Sequence, residues 1–206
     1  EFAARHLEIV LQSEHEVLSV LTQPDRKSGR GKKINFSPVK QTALDNGISI
    51  HQPESLGIEK VFSDLKNITP DLILVVAYGL LVPKKILELP KYGCVNIHAS
   101  LLPRWRGASP MEHAIMSGDK KIGISYMEMS EGLDEGPVYE MHKCSLKEYD
   151  TLHTVEEKFI QLSEKYLVSF LDNLESGSIN HKAQDENKAT FSPVSYTHLT
   201  LPTIVR

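Results

Sequence analysis

The stretch from Val95 to Gly107 constrains the fold more than any other part of the chain: Val95-Asn96-Ile97-His98 runs into Ser100-Leu101-Leu102-Pro103-Arg104-Trp105-Arg106-Gly107. It opens as a short apolar strand at 94–97. It ends in a loop, marked by Pro103 and Gly107, through which a strand could not continue. Asn96 and His98 stand two apart, so on a strand both side chains reach the same face. An amide donor then stands beside a titratable imidazole at the carboxyl end of a strand, where open α/β sheets hold their ligands. Taken alone, His98 reads as a hydrogen-bonded core histidine and Asn96 as a turn former; distant neighbours change that reading.

The first of these neighbours is Asp134. An alternating strand at 123–129 feeds an acidic loop holding Glu131, Asp134 and Glu135, bracketed by Gly132, Gly136 and Pro137. The glycines imply backbone turns that bring the chain close to something. An Asn, a His and an Asp on rigid strand ends meet a recognisable need. Histidine serves as acid or base near neutrality. The aspartate orients and charges it, and the asparagine donates to a developing oxyanion. By itself Asp134 is an ordinary aspartate in a turn.

The remaining pattern alternates helices and strands. Helices are expected at 2–12, from Ser37-Pro38 to Asn46-Gly47, within 53–66, at 83–89 and at 111–116. A long amphipathic helix runs from Asp150-Thr151 to Ser176-Gly177. Its Leu152, Val155, Phe159, Leu162, Tyr166, Phe170 and Leu174 recur at spacings of three and four and face a core. Short strands are expected at 16–21, 48–50 and 138–146, and the unbroken apolar run 72–77 reads as a strand buried on both faces of a parallel sheet. The fold expected is α/β, a Rossmann-like, mostly parallel sheet flanked by helices.

A chain of 206 residues, 40% hydrophobic and 24% charged, suffices for one such domain with a full core. No apolar run approaches the ~20 residues of a membrane helix. The two cysteines make no disulfide framework, and the nine histidines lack metal-ligand spacing, so no metal is expected. This suits a reducing cytoplasm. A net charge of −4 argues mildly against a nucleic-acid partner. Locally the balance reverses, because 25–33 carries Arg26, Lys27, Arg30, Lys32 and Lys33 against one aspartate. That run reads either as a solvated loop or as a phosphate-binding patch.

Asn96-Ile97-His98 with the Ser-Leu-Leu-Pro-Arg-Trp-Arg-Gly loop and Gly132-Leu133-Asp134-Glu135-Gly136 resembles the folate-dependent formyltransferases. Thr22-Gln23-Pro24-Asp25-Arg26, Gly29-Arg30-Gly31-Lys32-Lys33 and Ser37-Pro38-Val39-Lys40 resemble the branch acting on tRNA. The resemblance runs from Phe2 to about Thr190. It implies formyl transfer from 10-formyltetrahydrofolate, as co-substrate, to the amine of methionine on initiator tRNA. In that reading Asn96 binds the oxyanion, His98 passes a proton to the leaving nitrogen, and Asp134 helps move the amine proton. Main-chain groups of Ser100, Leu101, Leu102 and Pro103 read the pterin. Tyr78 and Gly79 line the pterin pocket, although a tyrosine that caps the core fits Tyr78 equally. Arg30 reaches the nucleic acid, and Lys32 and Lys33 its phosphates. Trp105 and Arg106 stay open between loop anchor and substrate contact.

Relatives begin with a strand that this chain lacks and continue into a small β-barrel, so the chain is expected to be truncated at both ends. A catalytic domain at 1–178 would be followed by the start of a linker at 179–191. Residues 192–206 depart from the family pattern and resemble translated sequencing-adapter DNA, so a non-native tail is expected there. A monomer in the cytoplasm of a bacterium, or in an organelle matrix, is expected. Rival readings are another formyltransferase or formyl-folate hydrolase, acting on a nucleotide or sugar amine, and a non-catalytic folate- or RNA-binding module.

Overall fold

A computed structural model describes residues 1–28 and 33–194, with the backbone alone for 26–28 and 33–34. In chain order the first half comprises α1 (Phe2–Leu11), β1 (Ser19–Leu21), β2 (Arg26–Ser28), β3 (Lys33–Asn35), α2 (Pro38–Asp45), β4 (Ser49–His51), α3 (Glu59–Ile68), β5 (Ile73–Val75) and α4 (Lys84–Leu87). There follow β6 (Cys94–His98), β7 (Arg106–Gly107), α5 (Pro110–Met116), β8 (Lys121–Glu128), β9 (Val138–Ser145), α6 (Leu152–Glu175) and β10 (Phe191–Ser192).

Helix α6 supplies the backing of the site. A reciprocal cap starts it: the Thr151 hydroxyl accepts from the Thr154 N–H, and the Thr154 hydroxyl oxygen accepts from the Thr151 N–H. Its buried Val155, Phe159, Ile160, Leu167, Phe170, Leu171 and Leu174 pack with Val95 and Ile97 of β6 and Ile122, Ile124 and Tyr126 of β8. Burying each such side chain contributes about 1.5–3 kcal/mol. Because side chains alternate along β6, packing Val95 and Ile97 against this core turns Asn96 and His98 to the opposite face. Helix α1 packs beside α6, with buried His6 between the Phe2 carbonyl (2.7 Å) and the Ser163 hydroxyl (2.7 Å).

The main sheet has the order β5-β6-β8-β9. Parallel pairing, as expected, joins β5 to β6 and β1 to β4, but β6–β8 and β8–β9 are antiparallel. A direct loop between β8 and β9 allows no parallel alternative, which needs a long crossover. β5 is shorter and less buried than expected. Each of its residues is half-buried, and Ala77 at φ 47° ends the extended run. Among the described residues it pairs with β6 alone.

Two other features depart from the expectations. The flanks of the basic run form an antiparallel ribbon, Arg26↔Asn35 to Ser28↔Lys33, rather than a bare loop. The segment expected to open a linker packs back onto the domain. Lys182 and Val138 exchange backbone hydrogen bonds of 2.8 and 2.9 Å, and β10 pairs in parallel with β7. Ser192, where the tail was expected to begin, is fully buried, and its hydroxyl donates to the Arg106 carbonyl at 3.1 Å. Residues 195–206 lie outside the described part. No helix among the described residues is long and apolar enough to cross a membrane.

Candidate active site

Asn96 and His98 project from the end of β6 toward the loop joining β8 to β9. There they meet Asp134, which sits in the left-handed region at φ 50°. Asn96 Nδ2 donates to Asp134 Oδ1 at 3.4 Å, and His98 Nδ1 lies 3.6 Å from Asp134 Oδ2. The Gly107 N–H donates to the same Oδ2 at 2.8 Å. The other imidazole nitrogen, Nε2, is 2.9 Å from the Trp105 carbonyl. A carbonyl only accepts, so Nε2 carries a proton and Nδ1 is left to exchange one beside the carboxylate. The side chains of His98 and Asp134 are only 6% and 15% exposed, so water screens their interaction little.

The loop after β6 is fixed from below by Ser125 of β8, which pairs with His98. Its hydroxyl donates to the Ser100 carbonyl (2.6 Å) and accepts from the Leu102 N–H (3.1 Å). Gly123 lets this loop approach, since a Cβ there would stand 2.0 Å from the His142 carbonyl oxygen and 2.8 Å from Leu101 Cδ2. Leu102 inserts among Met127, Val138 and Met129. The Ser100 hydroxyl donates to the Arg104 carbonyl at 2.5 Å, and the Leu102–Pro103 peptide is cis.

The two open cases resolve as loop anchors. Trp105 Nε1 donates to Asp119, and Arg104 grips the same carboxylate through two bonds, 2.8 and 2.6 Å, while stacking over the indole at 4.3 Å. Arg104 holds the Asp119 carboxyl below its usual range. Arg106 is 2% exposed and points away from solvent into Glu186 and Gln184.

Tyr78 and Gly79 lie elsewhere. They follow β5 and, with Leu80, line a cavity of 590 Å³ shared with Gln23, Pro24, Asp25, Asn35, Phe36 and Ser37. Neither the Asn96–His98–Asp134 cluster nor 100–103 lines it. The Tyr78 ring packs against the core cluster of Leu56, Leu65 and Ile86, and burial pushes its phenol pKa up. Gln23 Nε2 donates to the Tyr78 carbonyl at 3.1 Å. Asp25 binds Lys40 (2.5 Å) and Gln52 (2.9 Å), and Lys40 above all holds its carboxyl below the usual range. This cavity lies at the foot of the basic ribbon. Arg30 and Lys32 fall outside the described residues, and Lys33 opens β3 with its side chain outside the description. Among the described residues no three His, Cys, Asp or Glu side chains group to hold a metal ion.

Sequence reasoning missed Ser125, the Gly107 N–H and Gln184. A lone serine inside the apolar strand at 123–129 was the one available signal for Ser125.

A family model described as formyl transferase matches residues 1–171, and the chain belongs to that family. It is 43% identical over 192 residues to the methionyl-tRNA formyltransferase of Hydrogenovibrio crunogenus, covering 93% of this chain and 62% of that protein. It is 44% identical over 195 residues to the methionyl-tRNA formyltransferase of Buchnera aphidicola, covering 95% and 62%. The chain thus spans about three-fifths of the length of the curated relatives it matches. Glycinamide ribonucleotide transformylase 1 from Symbiobacterium toebii shares the fold with a TM-score of 0.72 at 18% identity, over 88% of this chain and 90% of that one. A sugar 3N-formyltransferase solved in the presence of dTDP and 5-N-formyl-THF gives 0.69 at 18% identity, over 94% and 66%.

Proposed function

We propose that this chain carries the catalytic groups for moving the formyl group of 10-formyltetrahydrofolate to the amino group of methionyl-initiator tRNA. The observation that carries the reading is the meeting of Asn96, His98 and Asp134 within 3.4–3.6 Å. The names of the curated relatives supply the acceptor, and the solved sugar 3N-formyltransferase with its formyl-folate supports the donor.

The neutral amine of the methionyl group attacks the formyl carbon, a C–N bond forms and the carbonyl oxygen becomes an oxyanion. Asn96 donates its amide N–H to that oxyanion. Asp134 takes the proton released by the attacking amine. His98 gives its Nδ1 proton to folate N10 as the formyl C–N10 bond breaks. The proton then passes from Asp134 to His98 across their 3.6 Å contact, which restores both groups. The 100–103 loop presents main-chain groups to the pterin. Arg30, Lys32 and Lys33 hold the acceptor arm, which supplies phosphate charge to bind. Tyr78 and Gly79 line the cavity they share with Gln23 to Asp25 and Asn35 to Ser37. The enzyme works as a monomer in the cytoplasm, and residues 1–192 belong to its catalytic domain.

Loss of one oxyanion donor typically costs about 10²–10³ in rate. Asn96→Ala, His98→Ala and Asp134→Ala are each expected to remove at least nine-tenths of formyl transfer to methionyl-tRNA. A variant that keeps more than about a tenth of the parent rate removes that residue from its role.

A further inference from the structure

Residues 182–192 carry a contact that the chemistry above leaves unused. Gln184 Nε2 has two hydrogens, and both are spent on the catalytic loop: one on the Asp134 carbonyl (2.8 Å), the other on the Gly136 carbonyl (2.7 Å). Its Oε1 accepts from Arg106 Nε (3.1 Å) and Nη2 (2.9 Å), which fixes the amide so that its nitrogen must face the loop. Arg106 is held in turn by Glu186 through Nη1 (2.8 Å) and Nη2 (2.7 Å). This pairing holds the Glu186 carboxyl below its usual range. The backbone around Arg106 is also fastened to the segment. Its N–H donates to the Thr190 carbonyl at 2.8 Å, and the Ala108 N–H to the Ser192 carbonyl at 2.9 Å.

The object so gripped is a non-glycine residue in the left-handed region. Asp134 takes φ 50°, a backbone conformation that a side chain disfavours. A conformation of that kind persists only where its surroundings over-determine it. Gln184 binds the Asp134 and Gly136 carbonyls, while the Gly107 N–H, next in sequence to Arg106, binds the Asp134 carboxylate. Both ends of the residue are therefore tied to one frame.

We propose that Gln184, oriented by Arg106 and Glu186, is a positioning residue that holds the Asp134 carboxylate in register with His98 and Asn96. The inference rests on the formyl-transfer reading for its kinetic consequence, though not for its geometry. A misplacement of about 1 Å costs on the order of a hundredfold in rate.

The test compares the full chain with Gln184→Glu, which keeps the shape but loses both N–H donors, and with Gln184→Ala. One readout is kcat and KM for methionyl-tRNA with 10-formyltetrahydrofolate. The other is amide hydrogen exchange at Gly107, whose N–H reports directly on the Asp134 carboxylate, with exchange in β8 as the control for global loosening. Both variants are expected to lose tenfold or more in kcat with KM changed less than twofold. Gly107 exchange is expected to rise at least tenfold while β8 is unchanged. Unchanged Gly107 exchange overturns the proposal, whatever happens to the rate, as does a parent-like kcat. If the parent itself transfers no formyl group, the functional reading fails instead. Gly107 exchange then decides the positioning role by the same criterion.

Discussion

Removing the Ser125 hydroxyl is expected to unfasten the 100–103 loop, to which the proposed function gives the pterin. Ser125→Ala shrinks a fully buried side chain, so it adds no clash. It leaves the Leu102 N–H and the Ser100 carbonyl without their 3.1 and 2.6 Å partner, and both residues are buried. A buried polar group left unpaired costs about 1–3 kcal/mol, so the two together bound the loss at about 2–6 kcal/mol. Relaxation of the loop toward water brings the expected value to about 2–4 kcal/mol. In a domain of this size each kcal/mol moves Tm by about 2–4 °C, which places the shift at roughly 4–16 °C. Urea titration is the primary assay. The midpoint should fall with an unchanged slope, because the surface exposed on unfolding stays the same. The exposed Ser178→Ala serves as the comparison. The KM for 10-formyltetrahydrofolate should rise in Ser125→Ala while that for methionyl-tRNA stays within twofold. A stability loss below about 0.5 kcal/mol, the range of an ordinary surface change, would refute the reasoning.

Three further expectations follow from other parts of the molecule. Gly107→Ala places a Cβ 2.6 Å from the Ser192 carbonyl oxygen at φ 112°; it should cost at least about 1–3 kcal/mol by urea titration and reduce kcat by tenfold or more, because the Gly107 N–H leaves Asp134. His6 is held neutral, its pKa lowered to about 4 chiefly by burial, so the folded state binds fewer protons than the unfolded state between pH 6.5 and 4. Stability is therefore intact above pH 6.5 and falls by about 3 kcal/mol as pH drops to 4; denaturation of His6→Gln across that window should show the decline removed. Arg30→Ala and Lys32→Ala should each weaken tRNA binding and flatten the dependence of log K on log salt by about one unit, measured by filter binding, whereas parent-like slopes would take those residues off the phosphates.

What could be read without the structure was local or periodic. Ser37-Pro38 and Asn46-Gly47 delimit α2 because cap and turn chemistry act within a few residues: Ser37 accepts from the Lys40 N–H and Gly47 takes φ 68°. Helix α6 was legible from its spacing and from Thr151. Asn96 and His98 were legible as partners because a strand alternates with period two. Asp134 was reached through its acidic, glycine-bracketed loop, and Gly136 does make the close approach expected, with a Cβ there 1.8 Å from the Glu128 carbonyl oxygen. The β7–β10 pair is two residues long on each side and joins segments distant in sequence, so no periodic pattern announces it. Gln184 sits in a polar stretch that looks like a linker, and its importance lies in the orientation that Arg106 imposes. Tyr78 and Gly79 were placed by resemblance; their turn out of β5 puts them in the neighbouring cavity.

The most direct test exchanges this chain for the region it matches in the Hydrogenovibrio crunogenus relative. Formyl transfer from 10-formyltetrahydrofolate is then measured to methionyl-tRNA and to amino-sugar nucleotide and glycinamide ribonucleotide acceptors, with and without Asp134→Ala. Transfer to methionyl-tRNA in preference to the other acceptors, reduced at least tenfold by Asp134→Ala, is the expected result. Folate binding without transfer to methionyl-tRNA, or transfer that Asp134→Ala leaves intact, would contradict the assignment of acceptor or of site.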